Sequence, residues 1–340
     1  LTSCRQTPRQ TSPAFYHWKT QLALTPAETA CLDTLGCRKL YVKFIDLGRD
    51  PETGGNIRPY ALLELKDTAG LAGRAIVPCV FITNSVFQQI SKQQIETLAL
   101  KTADALSALG RQFPAVPFSE VQFDCDWTAS TRESFFYFLK KIRTALPQRT
   151  TISATIRLHQ YKFPSQTGVP PADRGMLMLY NTGDIDRWEE ENSIFRPEAA
   201  RKYLNGAPAR YPLPLDLALP LFSWALIYRD DGLWKIVPDP NPAELADTGR
   251  FEAVNNRQWT AGRFQVRKHT YLAGHYLRTG DLIRLERVDT VLLREAAQLA
   301  TGMDLAPDAS VAFYHLDTAT VRQYPAKCLK TICERINKKR

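Results

Sequence analysis

The run Val121-Gln122-Phe123-Asp124-Cys125-Asp126-Trp127, followed by TRESFFYFLKKIRTAL from Thr131 to Leu146, decides the fold. The first part is short and apolar at alternate positions, so it predicts a strand. The second predicts a helix, with Ser130 as N-cap, Glu133 completing a capping box and Pro147 stopping it. A strand joined to a helix by a short loop is half of a crossover unit. The question for the rest of the chain is whether the unit repeats.

It repeats in both directions. Upstream, Lys39 to Asp46 is rich in β-branched and aromatic residues and ends at Gly48. Arg74 to Thr83 predicts the next strand, and Ser91 to Leu109 an amphipathic helix carrying Ile95, Leu98, Ala99, Thr102, Leu106 and Leu109 near helical spacing. Downstream, Thr151–Leu158, Gly175–Tyr180 and Leu215–Trp224 predict strands, and Pro197–Leu204 a short helix. The stretch from Asp230 to Asn256 is rich in Pro, Asn and Asp and predicts an insertion around 230–280. Phe264–Leu272 and Asp281–Val288 predict a hairpin, one arm of which is expected to be the seventh strand. A helix over Thr290–Thr301, an eighth strand over Ser310–Leu316 and a closing helix over Val321–Ile336 complete the pattern. Eight strands alternating with helices predict an α/β fold, a (β/α)8 barrel of TIM type over residues 15–340. A doubly wound open sheet is the runner-up, but neither G-x-G-x-x-G nor G-x-x-x-x-G-K-[ST] occurs, so nucleotide chemistry lacks its motifs.

Composition narrows the function classes. With 44% hydrophobic and 23% charged residues among 340, the chain is neither disordered nor fibrous, and no run approaches the ~18 apolar residues of a membrane span. The net charge of +9 could suggest nucleic acid, but much of the excess sits in tails, at Arg5, Arg9, Arg335, Lys338, Lys339 and Arg340, so no nucleic-acid partner is expected. Leu1-Thr2-Ser3-Cys4 resembles the end of a bacterial lipoprotein signal. That implies lipidation at Cys4, a polar tether over residues 1–14, and attachment to the membrane of a bacterial cell envelope, periplasmic or at the outer surface. The remaining cysteines show no zinc-knuckle spacing and no accompanying histidine cluster, so no metal and no cofactor are expected. Cys79 and Cys125 read as buried thiols, and a Cys31–Cys37 bridge stays open.

In a barrel of this type the site lies where the strands end. Polar residues interrupt the apolar runs there: Asp46; Asp124 and Asp126; Arg157, His159 and Gln160; Tyr180 and Asn181; Ser223 and Trp224; Tyr314, His315 and Asp317. Alternation puts Gln122, Asp124 and Asp126 on one face, and Ser153, Thr155, Arg157 and His159 on one face of the next strand. Two carboxylates in one interior need a cation, a shared proton or many hydrogen bonds, and Arg157 and Lys43 are the candidate partners. Asp124 is open to two readings, a cross-strand tie in the core or a role in the site. Trp127, Trp224 and Tyr180 either pack loops or offer flat faces to sugar rings.

The segment Phe123-Asp-Cys-Asp-Trp-Thr128 resembles the strand signature of family-18 chitinases, apolar-D-x-D-W followed by a catalytic glutamate. The resemblance implies a glycosidase barrel acting on cell-envelope or environmental polysaccharide, with Asp126 assisting the substrate's acetamido group and Asp124 supporting it. Thr128 stands where the resemblance implies the acid. Two function classes follow. In one, an active glycosidase draws its acid from Asp184, Asp186 or Asp317. In the other, an inert barrel binds carbohydrate through Asp126, Arg157, His159, Tyr180 and Asn181, with Trp224 as a platform; Gln160, Tyr314, His315 and Asp317 are further substrate-binding candidates in either class.

Overall fold

The computed structural model describes residues 10–50, 52, 55–113, 118–208, 210–254 and 261–338. Its centre is a closed barrel of parallel strands: β1 Ser12–His17, β2 Lys39–Asp50, β3 Ala75–Ile82, β4 Glu120–Asp124, β5 Thr151–Arg157, β6 Arg174–Met178, β7 Leu215–Pro220 and β8 Ser310–Tyr314. Each strand pairs with its neighbours in chain order, and β1 closes the ring by pairing with both β8 and β2, with Phe15 opposite Phe313 on one side and Leu40 on the other. Closure removes the free edges of the ring, and helices cover the outside. Every residue of β4 and β7 is buried, which is why such strands read as near-continuous apolar runs.

The (β/α)8 architecture is the predicted one, but two strands are assigned differently. The ring begins with β1, which takes in Ser12–Ala14 from the end of the expected tether. Its six residues include Pro13 and follow a polar tail, so the run is too short to announce a strand by itself. The predicted hairpin does form, with Ala261–Val266 antiparallel to Leu282–Arg287, but neither arm enters the barrel. Both arms belong to a five-stranded antiparallel sheet together with Ser223–Arg229, Gly232–Pro238 and Phe251–Ala253. Period-2 alternation identifies a strand but not the sheet it joins. The insertion is therefore wider than expected, from Ser223 to Arg287, and it springs from the C-terminal end of β7. Leu215–Trp224 accordingly divides, the barrel strand ending at Pro220 and the sheet starting at Ser223.

Local chemistry explains most helix ends. Ser91 caps the helix Lys92–Gly110, its hydroxyl accepting from Gln94 N–H while the Gln94 side chain takes the Ser91 N–H. The same box, Thr25 with Glu28, starts a helix over Pro26–Leu35 that periodicity alone did not suggest. The expected Ser130–Glu133 box does not form: the helix runs Arg132–Ala145, and the Thr131 hydroxyl is turned toward Asn84 instead. The closing helix is two helices, Thr318–Gln323 and Ala326–Asn337, separated at Pro325. One hydrophobic core fills the space between barrel and helices, and a second, smaller one lies within the inserted sheet around Ile227, Phe251, Phe264 and Ile283.

Cys31, Cys37, Cys79, Cys125, Cys328 and Cys333 are free thiols, so the Cys31–Cys37 bridge is not made. Cys4 lies outside the described residues. No helix among them is long and apolar enough to cross a membrane.

Candidate ligand site at the barrel mouth

A polar ladder climbs the barrel interior from β4. Glu120 accepts from Lys39 Nζ at 3.1 Å and from the Ser153 hydroxyl at 2.6 Å. One level up, Gln122 accepts from the Tyr16 hydroxyl at 2.6 Å. Above it, Asp124 Oδ1 accepts from the Thr155 hydroxyl at 2.6 Å. These contacts confirm the alternation argument for Gln122, Asp124, Ser153 and Thr155. Burial pushes the Asp124 carboxyl up to about 6, with the nearby Arg157 guanidinium opposing the shift.

β4 ends at Asp124, so Asp126 lies beyond it, on the loop. Its half-exposed carboxylate takes the guanidinium of Arg157 in a two-toothed pair, Nε to Oδ1 and Nη2 to Oδ2, the latter at 2.8 Å. Burial works against the charge on Arg157, but the carboxylates of Asp126 and Asp124 outweigh it and raise the guanidinium pKa further. Lys43 serves neither aspartate; it pairs with Asp46 at 2.6 Å. Gln160 is a buried strut, accepting from Arg157 N–H at 2.8 Å and donating to the Trp127 carbonyl at 3.1 Å. Trp127 is itself buried, stacked on Phe135, with its indole N–H on the Thr167 carbonyl at 2.9 Å, so it packs the loop and offers no face to a ligand.

Above Asp124 and Arg157 opens a cavity of about 290 Å³. Its walls include Trp18, Tyr180, Asn181, Trp224, Tyr314 and His315. The rings pack on one another, Trp18 and Tyr180 each against Tyr314 with centroids 5.6 and 5.9 Å apart, and Trp224 against Phe222 at 5.3 Å. Trp224 is aimed by its indole N–H, which donates to Glu286 Oε2 at 2.7 Å. That carboxylate also holds the backbone N–H and hydroxyl of Ser193, at 2.8 and 2.6 Å, and Glu286 is fully buried beside Arg284 at 2.5 Å. A single carboxylate thus fixes a mouth residue, the loop after β6 and the inserted sheet. Asn181 adopts a left-handed conformation, with φ of 54°, and its N–H donates to the Ile194 carbonyl at 2.6 Å.

The inserted sheet adds a residue that the sequence did not single out. Asp239, just past Gly232–Pro238, lines the cavity, with Oδ2 3.0 Å from His315 Nε2 and Oδ1 accepting from Ser223 N–H at 3.1 Å. Burial works against its charge, but the His315 and Ser223 hydrogen bonds win and hold its carboxyl below the ordinary range. The other imidazole nitrogen, Nδ1, is 3.9 Å from Asp317 Oδ2, while Asp317 Oδ1 caps the helix Thr318–Gln323 through Thr320 N–H at 2.7 Å. Asp239, His315 and Asp317 can offer ligand atoms within 4.8 Å of one another, the set among the described residues with the means to hold a cation. Only Nε2 is hydrogen-bonded, to Asp239; Nδ1 is buried without a hydrogen-bond partner among the described residues. Asp239 sits in a loop crowded with Asp, Asn and Pro, where no pattern marks it; only the sheet's position over the mouth does.

Of the predicted site residues, Asp124, Arg157, Tyr180, Asn181, Trp224, Tyr314 and His315 meet at the cavity. Asp126 reaches it through Arg157, Gln160 supports it from within, and Asp317 stands behind His315. His159 is exposed on the short helix Leu158–Lys162, outside the lining. Asp184 and Asp186 are exposed on the loop after β6, and Asp186 lines a different cavity beside the inserted sheet.

No protein-family model matches the sequence, and no curated protein does. Solved structures do match in fold. The chitinase of Chromobacterium violaceum superposes with a TM-score of 0.54 at 12% identity, over 97% of this chain and 100% of that one. The spore cortex-lytic enzyme SleL of Bacillus megaterium gives 0.55 at 14% identity, over 98% and 76%. The C-terminal domain of a putative chitinase from Desulfitobacterium hafniense gives 0.54 at 11%, over 96% and 99%. The fold is that of the chitinase barrels. At these identities the likeness concerns the chain path, and the chemistry rests on the residues present. In this barrel Thr128 follows the D-x-D-W run, and its hydroxyl lies 2.9 Å from Ser130 Oγ and 3.3 Å from Thr131 Oγ1. A hydroxyl engaged in this way cannot deliver a proton as a carboxylic acid would.

Proposed function

We propose that the protein is a glycoside-hydrolase-like barrel that binds a polysaccharide in the C-terminal mouth. The observation that carries the reading is the cavity itself: aromatic walls from Trp18, Tyr180, Trp224 and Tyr314 over a polar floor of Asp124 and Arg157. Flat apolar faces combined with a few fixed hydrogen-bonding groups suit a sugar ring, whose faces are apolar and whose rim is polar. The family-18 route to hydrolysis lacks support in this chain. Thr128 stands where the resemblance implies the acid, and Asp126 is ion-paired with Arg157. The Leu1–Cys4 resemblance supports the further proposal of a lipid anchor at Cys4 and a bacterial envelope location.

One observation favours turnover by another route. Asp124 and Asp239 line the same cavity with their affinities for protons pushed in opposite directions, the former up and the latter down. A carboxyl that exchanges its proton near neutral pH and a second one that stays ionised match the acid and base of glycoside hydrolysis. Reducing-end release and thermal shift on one panel of amino-sugar and neutral glycans separate the two. Binding alone gives a saturable shift without release. Turnover gives release that disappears in both Asp124→Asn and Asp239→Asn, and absence of shift and release across the panel would contradict the reading.

A further inference from the structure

The chain carries nine excess positive charges, yet the sign reverses at the mouth. Asp46, Asp124, Asp126, Asp239 and Asp317 cluster there against Arg157 and Lys43. Both cations are already engaged, Arg157 by Asp126 and Lys43 by Asp46. Asp124 receives the Thr155 hydrogen bond on Oδ1, and among the described residues no hydrogen bond reaches its Oδ2. This buried carboxylate shares the one Arg157 charge with Asp126, and it lies under a ring of aromatic faces.

These two features select the same ligand chemistry. An ammonium group is attracted by a desolvated carboxylate and by the faces of Trp and Tyr rings. A neutral hydroxyl or an acetamido group can hydrogen-bond to Asp124 but leaves its charge in place. We propose that the mouth recognises a sugar bearing a free ammonium group, a glucosamine unit of a de-N-acetylated polysaccharide, with Asp124 as counter-ion and Trp18, Tyr180, Trp224 and Tyr314 around it. The proposal rests on the glycan-binding reading above and names the class of glycan.

Its pH dependence follows from the surroundings of Asp124. Facing that carboxyl are Arg157 from β5, Asp126 from the loop after β4, Asp46 from β2, Tyr16 from β1, Cys79 from β3, Tyr180 after β6 and Tyr314 from β8. The ion pair needs Asp124 ionised and the sugar amine protonated, so binding weakens on the acid side as the carboxyl, titrating at about 6, takes up its proton, and on the alkaline side as the amine gives up its own.

The test is calorimetric titration of the full chain with four probes: glucosamine pentasaccharide, N-acetylglucosamine pentasaccharide, cellopentaose and spermidine. The glucosamine oligomer binds at least about tenfold tighter than the other two oligosaccharides at pH 6.5, and the preference shrinks both at pH 4.5 and at pH 9. Asp124→Asn abolishes the preference. The pH series on the unaltered protein stands on its own should that variant not fold. Equal or tighter binding of the N-acetylated or neutral oligomer would overturn the inference while leaving the glycan reading in place, as would a preference that survives in Asp124→Asn. Spermidine binding with no oligosaccharide bound, or no binding by any probe, would overturn both.

Discussion

Asp124 shows how one side chain links stability to the site. Burial raises its carboxyl to about 6 in the fold, above the 3.8 of a free aspartate, so the folded state holds the proton more tightly. Stability from this group is therefore present below pH 4 and is lost as pH rises through about 6. Asp124→Asn keeps the acceptor for Thr155 and removes the charge. The variant gains on the parent by about 1–3 kcal/mol between pH 4 and pH 7.5, measured as urea midpoints at each pH. His17 works in the opposite direction. It is buried, with Lys19, His315 and Lys43 nearby, and burial lowers its imidazole to about 4. Its contribution is present above pH 6.5 and is lost as pH falls toward 4, so His17→Gln flattens the acid limb of the stability profile. Most mouth residues were legible one by one because each ends an apolar run: Asp124, Arg157, Tyr180, Trp224, Tyr314 and His315. Asp126 was assigned to the strand face because a strand's end cannot be read to within two residues. Asp239 carried no signal, since its role comes from a sheet folded over the mouth.

At the scale of elements, the inserted sheet is more than a decoration on the barrel. Arg284 and Glu286, both fully buried, join it to the loop after β6, Arg284 donating to the Asp184 and Arg187 carbonyls and Glu286 binding Ser193 and Trp224. Removing one member strands the other's charge. Glu286→Ala is expected to cost about 3–5 kcal/mol in urea unfolding and to loosen Trp224, read as a shift in tryptophan emission. The strands of the crossover units were legible because their two periods, two for strands and 3.6 for helices, alternate along the chain. β1 and the hairpin were exchanged for a physical reason: membership of a parallel ring depends on partners, which an isolated run does not disclose. Deleting residues 1–17 tests the assignment. Without β1 the pairing edges of β2 and β8 are left open, and the product is expected to aggregate.

The whole molecule combines a closed scaffold with a shaped opening at one end. Barrel closure makes the interior polar ladder rigid, and the insertion at the end of β7 supplies the far wall of the mouth. The proposed lipid anchor belongs to this scale as well: labelled fatty acid is expected to enter the protein expressed in a bacterial host and to be absent from Cys4→Ala, and equal labelling of the two would contradict the anchor. Whether the mouth is a glycan site is tested most directly by calorimetric titration of an amino-sugar pentasaccharide into the parent, Trp224→Ala and Trp234→Ala. Trp234 lies on the inserted sheet outside the mouth lining, 42% exposed, and serves as the control. Saturable binding that falls by about tenfold or more in Trp224→Ala and is unchanged in Trp234→Ala is the predicted result. Binding that survives in Trp224→Ala, or none in the parent, would contradict the claim.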